Sequence, residues 1–261
     1  MRLTVLGCSG SGPGPDSPGS GYLLHAGDAR FVLDLGNGAL GALQRELEPF
    51  DLDAVLLSHL HADHCADMAS LVVYRRYHPH PPYEPREHRL PVHAPENAPD
   101  RLAAAYAVSA EELTETHLSD VLDFHPLADG GRAEIAGCAV TAAKVDHPCD
   151  AYAVRVQHGG RSLVYSGDTG PSPGLVSLAR DADVFLCEAS WPHVTPSWDE
   201  PPPGVHLSGR QAGEHASAAG ARRLLITHVP AWFDGEELAQ EARSAYDGPV
   251  ELVAPGATYE I

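Results

Sequence analysis

The 261-residue sequence predicts a single α/β domain. Apolar runs of strand length alternate with segments of helical periodicity along the chain, and no linker or internal repeat interrupts them. A chain of this length can bury a large core without disulfides. Its 43% hydrophobic and 20% charged residues are ordinary for a globular protein. The prediction is therefore one domain over residues 1–261.

The predicted elements are short strands and amphipathic helices, separated by turns rich in glycine, proline and aspartate. In chain order they are strands at 2–6, 22–26 and 30–35, a helix at 38–47, a strand at 54–58, a helix at 66–77, strands at 139–145, 163–165 and 184–187, a helix at 208–219, a strand at 224–227 and a helix at 235–246. Three segments lack a clear pattern: 7–21, the proline-rich 79–99, and 191–204. The last contains Trp191 and Trp198, and we predict that it forms a flap over a substrate, since long irregular loops are uncommon unless functional.

One run of six residues after the strand at 54–58 combines three histidines and an aspartate: His59, His61, Asp63 and His64. Imidazole and carboxylate groups are the usual ligands of zinc-like metal ions. At the end of a strand His59 and His61 point the same way, because side chains repeat every two residues. If a helix begins within the run, Asp63 and His64 project from its first turn toward a neighbouring point. The spacing therefore allows the four side chains to divide between two metal ions.

Three further polar residues each follow a predicted strand. His147 comes after the strand at 139–145, Asp168 lies in a glycine-flanked turn after 163–165, and His228 ends the strand at 224–227. Loops at the ends of neighbouring strands can converge on one site. These residues are therefore candidates for the remaining ligands.

The ordered set of a His-x-His-x-Asp-His run, a later His, a Ser-Gly-Asp-Thr turn and a Thr-His pair resembles the metallo-β-lactamase superfamily, from Leu3 to about Tyr259. The resemblance implies a four-layer αβ/βα sandwich with two divalent metal ions at one edge of two packed sheets. By position, the first ion would be held by His59, His61 and His147, the second by Asp63, His64 and His228, and both by Asp168. These ligands suit Zn²⁺, and Mn²⁺ fits the same oxygen-containing site.

A second motif resembles the phosphodiesterase branch typified by ribonuclease Z. It consists of His206, Leu207 and Ser208 before a helix, with Glu188-Ala189-Ser190 after the preceding strand. The resemblance implies that His206 is the general acid, and we expect the nearby Glu188 to orient it. The candidate catalytic residues are Asp63, Asp168 and His206. The oxygen-activating diiron branch carries Glu where this chain has His61, which favours hydrolysis over redox chemistry.

Charge and loop length restrict the substrate. The chain has 36 acidic and 17 basic residues, a formal net charge of −19, and nucleic-acid binding depends on Lys and Arg that neutralise phosphates. Only residues 148–167 separate His147 from Asp168, which leaves no room for the RNA-gripping arm of ribonuclease Z. Bound divalent cations would reverse the local charge, so a small anionic phosphodiester fits and a large nucleic acid does not.

A closer resemblance is to actinobacterial atypical cyclic-nucleotide phosphodiesterases. The matching phrases are Gly7-Cys8-Ser9-Gly10-Ser11, Arg75-Arg76-Tyr77-His78-Pro79, Cys187-Glu188-Ala189-Ser190-Trp191 and residues 225–232. The resemblance implies hydrolysis of 3′,5′-cyclic AMP, and of other cyclic nucleotides, to 5′-monophosphates.

Three alternatives remain open at this point. The first is a ribonuclease Z-type tRNA 3′ endonuclease. The second is a lactonase or thioesterase of the same fold, which would keep all seven ligands but would not need the element around His206. The third is a metal-stabilised binding protein without enzymatic activity.

The sequence also indicates a cellular location. It has no basic-then-apolar leader and no apolar run of membrane-spanning length, so no membrane partner is expected. Five cysteines without paired spacing suit a reducing compartment. We therefore expect a cytoplasmic protein, and the branch it resembles, in which dimers are common, makes a homodimer a reasonable expectation.

Overall fold

The structure is a computed structural model that describes residues 1–195 and 201–261. The strands of the described residues are β1 (Arg2–Gly7), β2 (Ser9–Gly10), β3 (Gly21–Ala26), β4 (Ala29–Leu35), β5 (Ala54–Leu56), β6 (Leu90–Ala94), β7 (Leu122–Pro126), β8 (Arg132–Ile135), β9 (Cys138–Lys144), β10 (Tyr152–His158), β11 (Arg161–Tyr165), β12 (Val184–Glu188), β13 (Leu224–Thr227), β14 (Val229–Pro230), β15 (Val250–Leu252) and β16 (Thr258–Glu260). The helices are α1 (Ala39–Glu46), α2 (Ala62–Cys65), α3 (Met68–Tyr77), α4 (Ala98–Tyr106), α5 (Ala110–Leu113), α6 (Pro173–Leu178), α7 (Gly209–Ala219) and α8 (Gly235–Ala245), with a 3₁₀ turn at Pro49–Asp51.

Two seven-stranded sheets form the centre of the molecule. The first has the order β16-β1-β3-β4-β5-β6-β7, and the second has the order β15-β13-β12-β11-β10-β9-β8. In each sheet four neighbouring strands are parallel, β4 to β7 in the first and β11, β12, β13 and β15 in the second. Parallel strands bring their carboxyl ends to the same edge of a sheet, which is where ligands bind in such folds.

Three apolar clusters divide the fold into four layers. The inner faces of the two sheets pack on each other through residues such as Tyr22, Phe31 and Leu186. Helices α1, α3 and α4 cover the outer face of the first sheet. Helices α6, α7 and α8 cover the outer face of the second. The predicted four-layer sandwich is therefore confirmed. Within residues 1–195 and 201–261, no helix is long and apolar enough to cross a bilayer.

Most predicted elements form close to their predicted bounds, and the short connection at 148–167 contains the hairpin of β10 and β11. Strand β6 lies inside the proline-rich segment 79–99, for which the sequence predicts no element. Proline is disfavoured inside a strand because it cannot donate a ladder hydrogen bond. Pro91 nevertheless pairs with Asp123 of β7, and its neighbours Leu90 and Val92 are buried.

Two contacts fix the segment that carries the His-x-His-x-Asp-His run. A Cβ on Gly36, which follows β4, would lie 1.9 Å from the carbonyl oxygen of Asp63, so only glycine permits this approach. Asp67, two residues after α2, accepts a hydrogen bond from the Leu40 N–H to its Oδ2 at 2.9 Å. The carboxylate thereby satisfies a free donor in the first turn of α1. These contacts hold α2 against the end of β4.

Candidate metal centre

All seven predicted ligands lie at one edge of the molecule. His59 and His61 follow β5, Asp63 and His64 lie in α2, and the others follow β9, β11 and β13. Their ligand atoms form two clusters that share Asp168, and within each cluster all atoms lie within 4.8 Å of one another. The clusters are His59, His61, His147 and Asp168, and Asp63, His64, His228 and Asp168. Each cluster takes ligands from both sheets.

In the first cluster three imidazole nitrogens meet at one point. His61 Nδ1 lies 3.0 Å from His59 Nε2 and 3.2 Å from His147 Nε2. His59 is fully buried at the end of its strand, while His61 is exposed at the start of α2. The cluster is therefore reached from solvent on the side of His61.

In the second cluster the nitrogens of two buried histidines face each other. His64 Nε2 lies 3.1 Å from His228 Nε2, which in turn lies 3.2 Å from Asp63 Oδ2. His228 has a φ of 58°, in the left-handed region that is uncommon for residues other than glycine. His228 lies at the junction of β13 and β14.

The carboxylate of Asp168 lies between the two clusters. Its Oδ1 is 3.2 Å from His64 Nε2 and 3.3 Å from His228 Nε2, and its Oδ2 is 3.7 Å from His59 Nε2. The residue is only 2% exposed, and its Oδ1 forms no hydrogen bond with any described residue. Each oxygen thus faces one cluster, as a bridging carboxylate would.

A buried carboxylate that the sequence analysis missed, Asp34, orients two of the histidines. Its Oδ2 accepts hydrogen bonds from Ser58 Oγ at 2.7 Å and His64 Nδ1 at 2.8 Å. Because the Ser58 hydroxyl proton goes to Asp34, its oxygen accepts from His59 Nδ1, 3.1 Å away. Tyr165 donates a further bond to Asp34 Oδ2 at 2.7 Å. The Nε2 lone pairs of both histidines therefore point into the clusters.

His228, which is buried, and His147, which is half-buried, are oriented in the same way. Ser190 Oγ donates to Glu188 Oε2 at 2.6 Å, so it accepts from His228 Nδ1 at 2.8 Å. His147 Nδ1 donates to the carbonyl oxygen of Val205 at 2.8 Å. Such outer hydrogen bonds set which imidazole nitrogen is free to ligate a metal.

This donor set fits metal ions. Lone pairs of neighbouring nitrogens at 3.0–3.2 Å repel one another unless a positive charge lies between them. The pKa shifts of His64 and Asp168 also indicate that the clusters favour a positive charge. Burial lowers the pKa of His64, but the carboxylates of Asp168 and Asp34 outweigh it and hold this pKa well above the usual value. Burial raises the pKa of Asp168, but the neighbouring histidines hold it well below the usual range. The two clusters are thus suited to a dinuclear metal site.

His206, the predicted general acid, lies beside this centre. Its Nδ1 is 3.2 Å from Glu188 Oε1 and 3.8 Å from Asp168 Oδ2. Burial lowers the pKa of His206, but the Glu188 carboxylate outweighs it and raises this pKa to about 9. Glu188 is itself fully buried. The structure therefore brings together an imidazole with a raised pKa and the predicted bridging carboxylate.

The predicted flap at 191–204 falls partly on residues 196–200, which lie outside the described residues, and it stays a prediction. The described part begins against the site, since the Trp191 ring lies edge-on to His206 with ring centroids 5.2 Å apart. The backbone of Trp191 also bridges to Ser208 at the start of α7.

Comparisons with known proteins agree with this geometry. Residues 29–229 match the model of the beta-lactamase superfamily domain. The uncharacterized protein ML1173 of Mycobacterium leprae is 48% identical over 100% of this chain and 89% of its own length. The ribonuclease Z of Myxococcus xanthus is 29% identical, with coverage of 100% and 98% respectively.

The probable metallo-hydrolase YhfI of Bacillus subtilis is 30% identical over the full length of both chains. Its crystal structure, described as a metallo-beta-lactamase fold protein, superposes with a TM-score of 0.82, at 25% identity, over 99% of this chain and 98% of that one. The family match, the relatives and the dinuclear arrangement lead to one conclusion: this chain belongs to the metallo-β-lactamase superfamily.

Proposed function

We propose that the protein is a dinuclear metal-dependent phosphodiesterase that hydrolyses 3′,5′-cyclic nucleotides, with cyclic AMP as the main substrate, to 5′-monophosphates. The observation that carries the proposal is the His206 ring beside the metal centre, whose Nδ1 lies 3.2 Å from Glu188 Oε1 and 3.8 Å from Asp168 Oδ2. Expulsion of a sugar alkoxide from a phosphodiester needs a proton donor at this position.

His59, His61 and His147 would hold one ion, Asp63, His64 and His228 the other, and Asp168 both. When bound, two divalent ions would supply a hydroxide nucleophile near neutral pH and offset charge on the phosphate oxygens. Zn²⁺ is the expected metal, and Mn²⁺ fits the same ligands.

The chain's own groups orient the attacking water and protonate the leaving oxygen. The Asp168 carboxylate, kept ionised by its histidine neighbours, can accept a hydrogen bond from the attacking water and orient it. His206 Nδ1–H donates to Glu188, which keeps the ring oriented and leaves the other ring nitrogen available to protonate the ribose 3′ oxygen. Asp63 would contribute as a ligand of the second ion, since its Oδ2 lies 3.2 Å from His228 Nε2.

Two features support a small substrate over an RNA. The stretch between His147 and Asp168 contains the hairpin of β10 and β11 and no protruding arm. The net charge of −19 opposes binding of a polyanion. The M. xanthus relative is named ribonuclease Z, so tRNA 3′ processing remains the second candidate function.

The test is the release of 5′-AMP from cyclic AMP by purified, metal-loaded protein, compared with His206→Ala. Loss of a general acid costs roughly 10²–10⁴-fold in turnover. We expect the variant to keep both metal ions and to lose activity in that range.

A matched control is His117→Ala, because this histidine is exposed and precedes β7, at the sheet edge opposite the metal centre. The control should retain full turnover. Absence of turnover with cyclic AMP in the unmodified protein, combined with cleavage of a tRNA precursor, would replace the proposal with the ribonuclease Z function. Hydrolysis of lactones or thioesters that is indifferent to His206→Ala would replace it with the second alternative.

A further inference from the structure

Four rings form the part of the site that solvent reaches. His61 is exposed, and His147, His206 and Trp191 are half-buried, whereas the other predicted metal ligands are buried. The four rings follow one another in this order, with centroids 5.0 Å apart for the first pair, 5.6 Å for the second and 5.2 Å for the third. A substrate that enters from solvent therefore meets a continuous row of rings.

Trp191, at one end of this row, has no role in the proposed chemistry. His61 and His147 are predicted metal ligands, and His206 is the predicted acid. The indole nitrogen of tryptophan is a hydrogen-bond donor only, so it can neither ligate a metal ion nor act as a base. What the ring offers a substrate is a wide apolar face. The place of Trp191 therefore indicates a role in binding.

The backbone on either side of Trp191 is anchored to α7 and α8. The Trp191 carbonyl oxygen accepts the N–H of Gly209 at 3.3 Å, and the Ser190 N–H donates to the carbonyl oxygen of Leu207 at 2.9 Å. Two residues later, the His193 N–H donates to Glu241 Oε1 of α8 at 2.8 Å. A ring on an anchored backbone loses little conformational freedom when a ligand packs against it.

The proposed reaction places the nucleoside at this end of the row. His206 protonates the ribose 3′ oxygen, so the ribose lies against His206 while the phosphate lies at the two clusters. The base is attached to the same ribose, and the half-buried ring beyond His206 is that of Trp191. Every base has a flat π face that can stack on an aromatic side chain. The net charge of −19 does not oppose this contact, because the base is uncharged.

We propose that Trp191 is the platform on which the nucleobase of the substrate stacks. The inference rests on the proposed function and assigns the residue that makes the site favour nucleotides over phosphodiesters without a base.

The first experiment follows tryptophan fluorescence in the metal-loaded protein and needs no turnover. The chain has three tryptophans, and the double variant Trp198→Phe, Trp232→Phe keeps Trp191 alone. We expect 5′-AMP, the expected product, to quench its fluorescence saturably, because a stacked base lies in contact with the indole. Ribose 5-phosphate, which has the same phosphate and sugar without the base, should leave the fluorescence nearly unchanged.

The matched control is the double variant Trp191→Phe, Trp198→Phe, which keeps Trp232 alone. This residue is 68% exposed, and its ring neighbours that of Phe233 with centroids 6.2 Å apart. We expect no saturable quenching of Trp232 by 5′-AMP. Equal changes of Trp191 fluorescence with the two compounds, or no change with either, would overturn the proposal, and so would equal quenching in the control.

The second experiment compares cyclic AMP with trimethylene phosphate, a cyclic phosphodiester without sugar or base, in Trp191→Leu and Trp191→Phe. A stacked base contributes about 5- to 150-fold to binding. The ratio of kcat/KM for cyclic AMP to that for trimethylene phosphate should fall within this range in Trp191→Leu. It should change little in Trp191→Phe, which keeps an aromatic face. A disturbance of His206 by either substitution would lower kcat/KM for both compounds alike and leave the ratio unchanged.

The outcomes separate the two proposals. If both compounds are hydrolysed and Trp191→Leu leaves the ratio unchanged, the stacking role is wrong and the phosphodiesterase function stands. If only cyclic AMP is hydrolysed, equal kcat/KM values in Trp191→Leu and Trp191→Phe would overturn the stacking role. If neither compound is hydrolysed by the unmodified protein, the phosphodiesterase proposal fails, and the fluorescence titration alone decides whether Trp191 binds a base.

Discussion

The carboxylate of Asp34 offers the sharpest test of how the metal centre is organised. It is fully buried, contacts no predicted metal position directly, and accepts bonds from the side chains of Ser58, His64 and Tyr165 and from the Ser58 backbone N–H at 2.7 Å. The informative change is Asp34→Asn. The φ of Asp34 is 57°, in the left-handed region, where asparagine is also tolerated, so the backbone should not change.

The magnitude follows from these contacts. If the asparagine carbonyl oxygen takes the place of Oδ2, its three acceptor contacts persist, but the NH₂ group then faces the Ser58 N–H, donor against donor. One lost hydrogen bond with an unsatisfied buried donor should lower the free energy of unfolding by about 1–3 kcal/mol. Loss of the negative charge behind His64 and His59 should weaken metal binding by about 10–100-fold, as for other groups that orient metal ligands.

The assay is a competition titration with a zinc-selective chelating dye, combined with metal analysis after dialysis. Tyr165→Phe is the matched control, because it removes one donor to Asp34 and leaves the carboxylate in place. We expect the control to bind metal within a few-fold of the unmodified protein. Metal affinity in Asp34→Asn equal to that of the control would refute the assigned role.

Two further predictions concern the acid and the packing around α2. Because Glu188 raises the pKa of His206 to about 9, the protonated acid persists up to that pH, and kcat/KM should fall as the pH rises through it. Glu188→Gln removes the charge that opposes the effect of burial on the pKa of His206, so the fall in kcat/KM should move to lower pH. A pH–rate profile that does not move would exclude this coupling between Glu188 and His206. Gly36→Ala places a methyl group 1.9 Å from the Asp63 carbonyl oxygen and should reduce both thermal stability and metal content. Gly41→Ala, in a helix position with nothing within 4 Å, should instead stabilise the protein by about 0.5–1 kcal/mol, and equal melting temperatures of the two variants would contradict the packing argument.

The sequence predicts the clustering of the residues from His59 to His64 because their spacing is local. Strand and helix geometry alone place His59 beside His61 and Asp63 beside His64. The carboxyl ends of β9 and β11, which run in the same direction on either side of β10, account for His147 and Asp168 in the same way. The place of each of these side chains depends only on the strand or helix that carries it, and the pattern of apolar residues predicts that strand or helix.

The orienting groups were harder to predict because their roles depend on distant parts of the chain. Asp34 meets Tyr165 across 131 positions, and Ser190 meets His228 across 38. The one available signal at Asp34 is a single carboxylate inside the apolar strand β4, directly before Leu35 and Gly36. A charge in such a strand needs partners, but the sequence does not show which partners they are.

Each cluster takes its ligands from both sheets, and this arrangement has a thermodynamic consequence. The first half of the chain forms most of one sheet and supplies the run from His59 to His64, while the second half forms the other sheet and supplies the remaining ligands. An ion bound at this edge would therefore act as a cross-link between two halves that are also held together by their apolar faces, by the return of β16 beside β1 and by hydrogen bonds such as that from Tyr165 to Asp34. Its binding free energy adds to the free energy of unfolding, by about 2.7 kcal/mol for each site at a free metal concentration of 100 times Kd. Availability of metal would then set the lifetime of the folded chain as well as its activity.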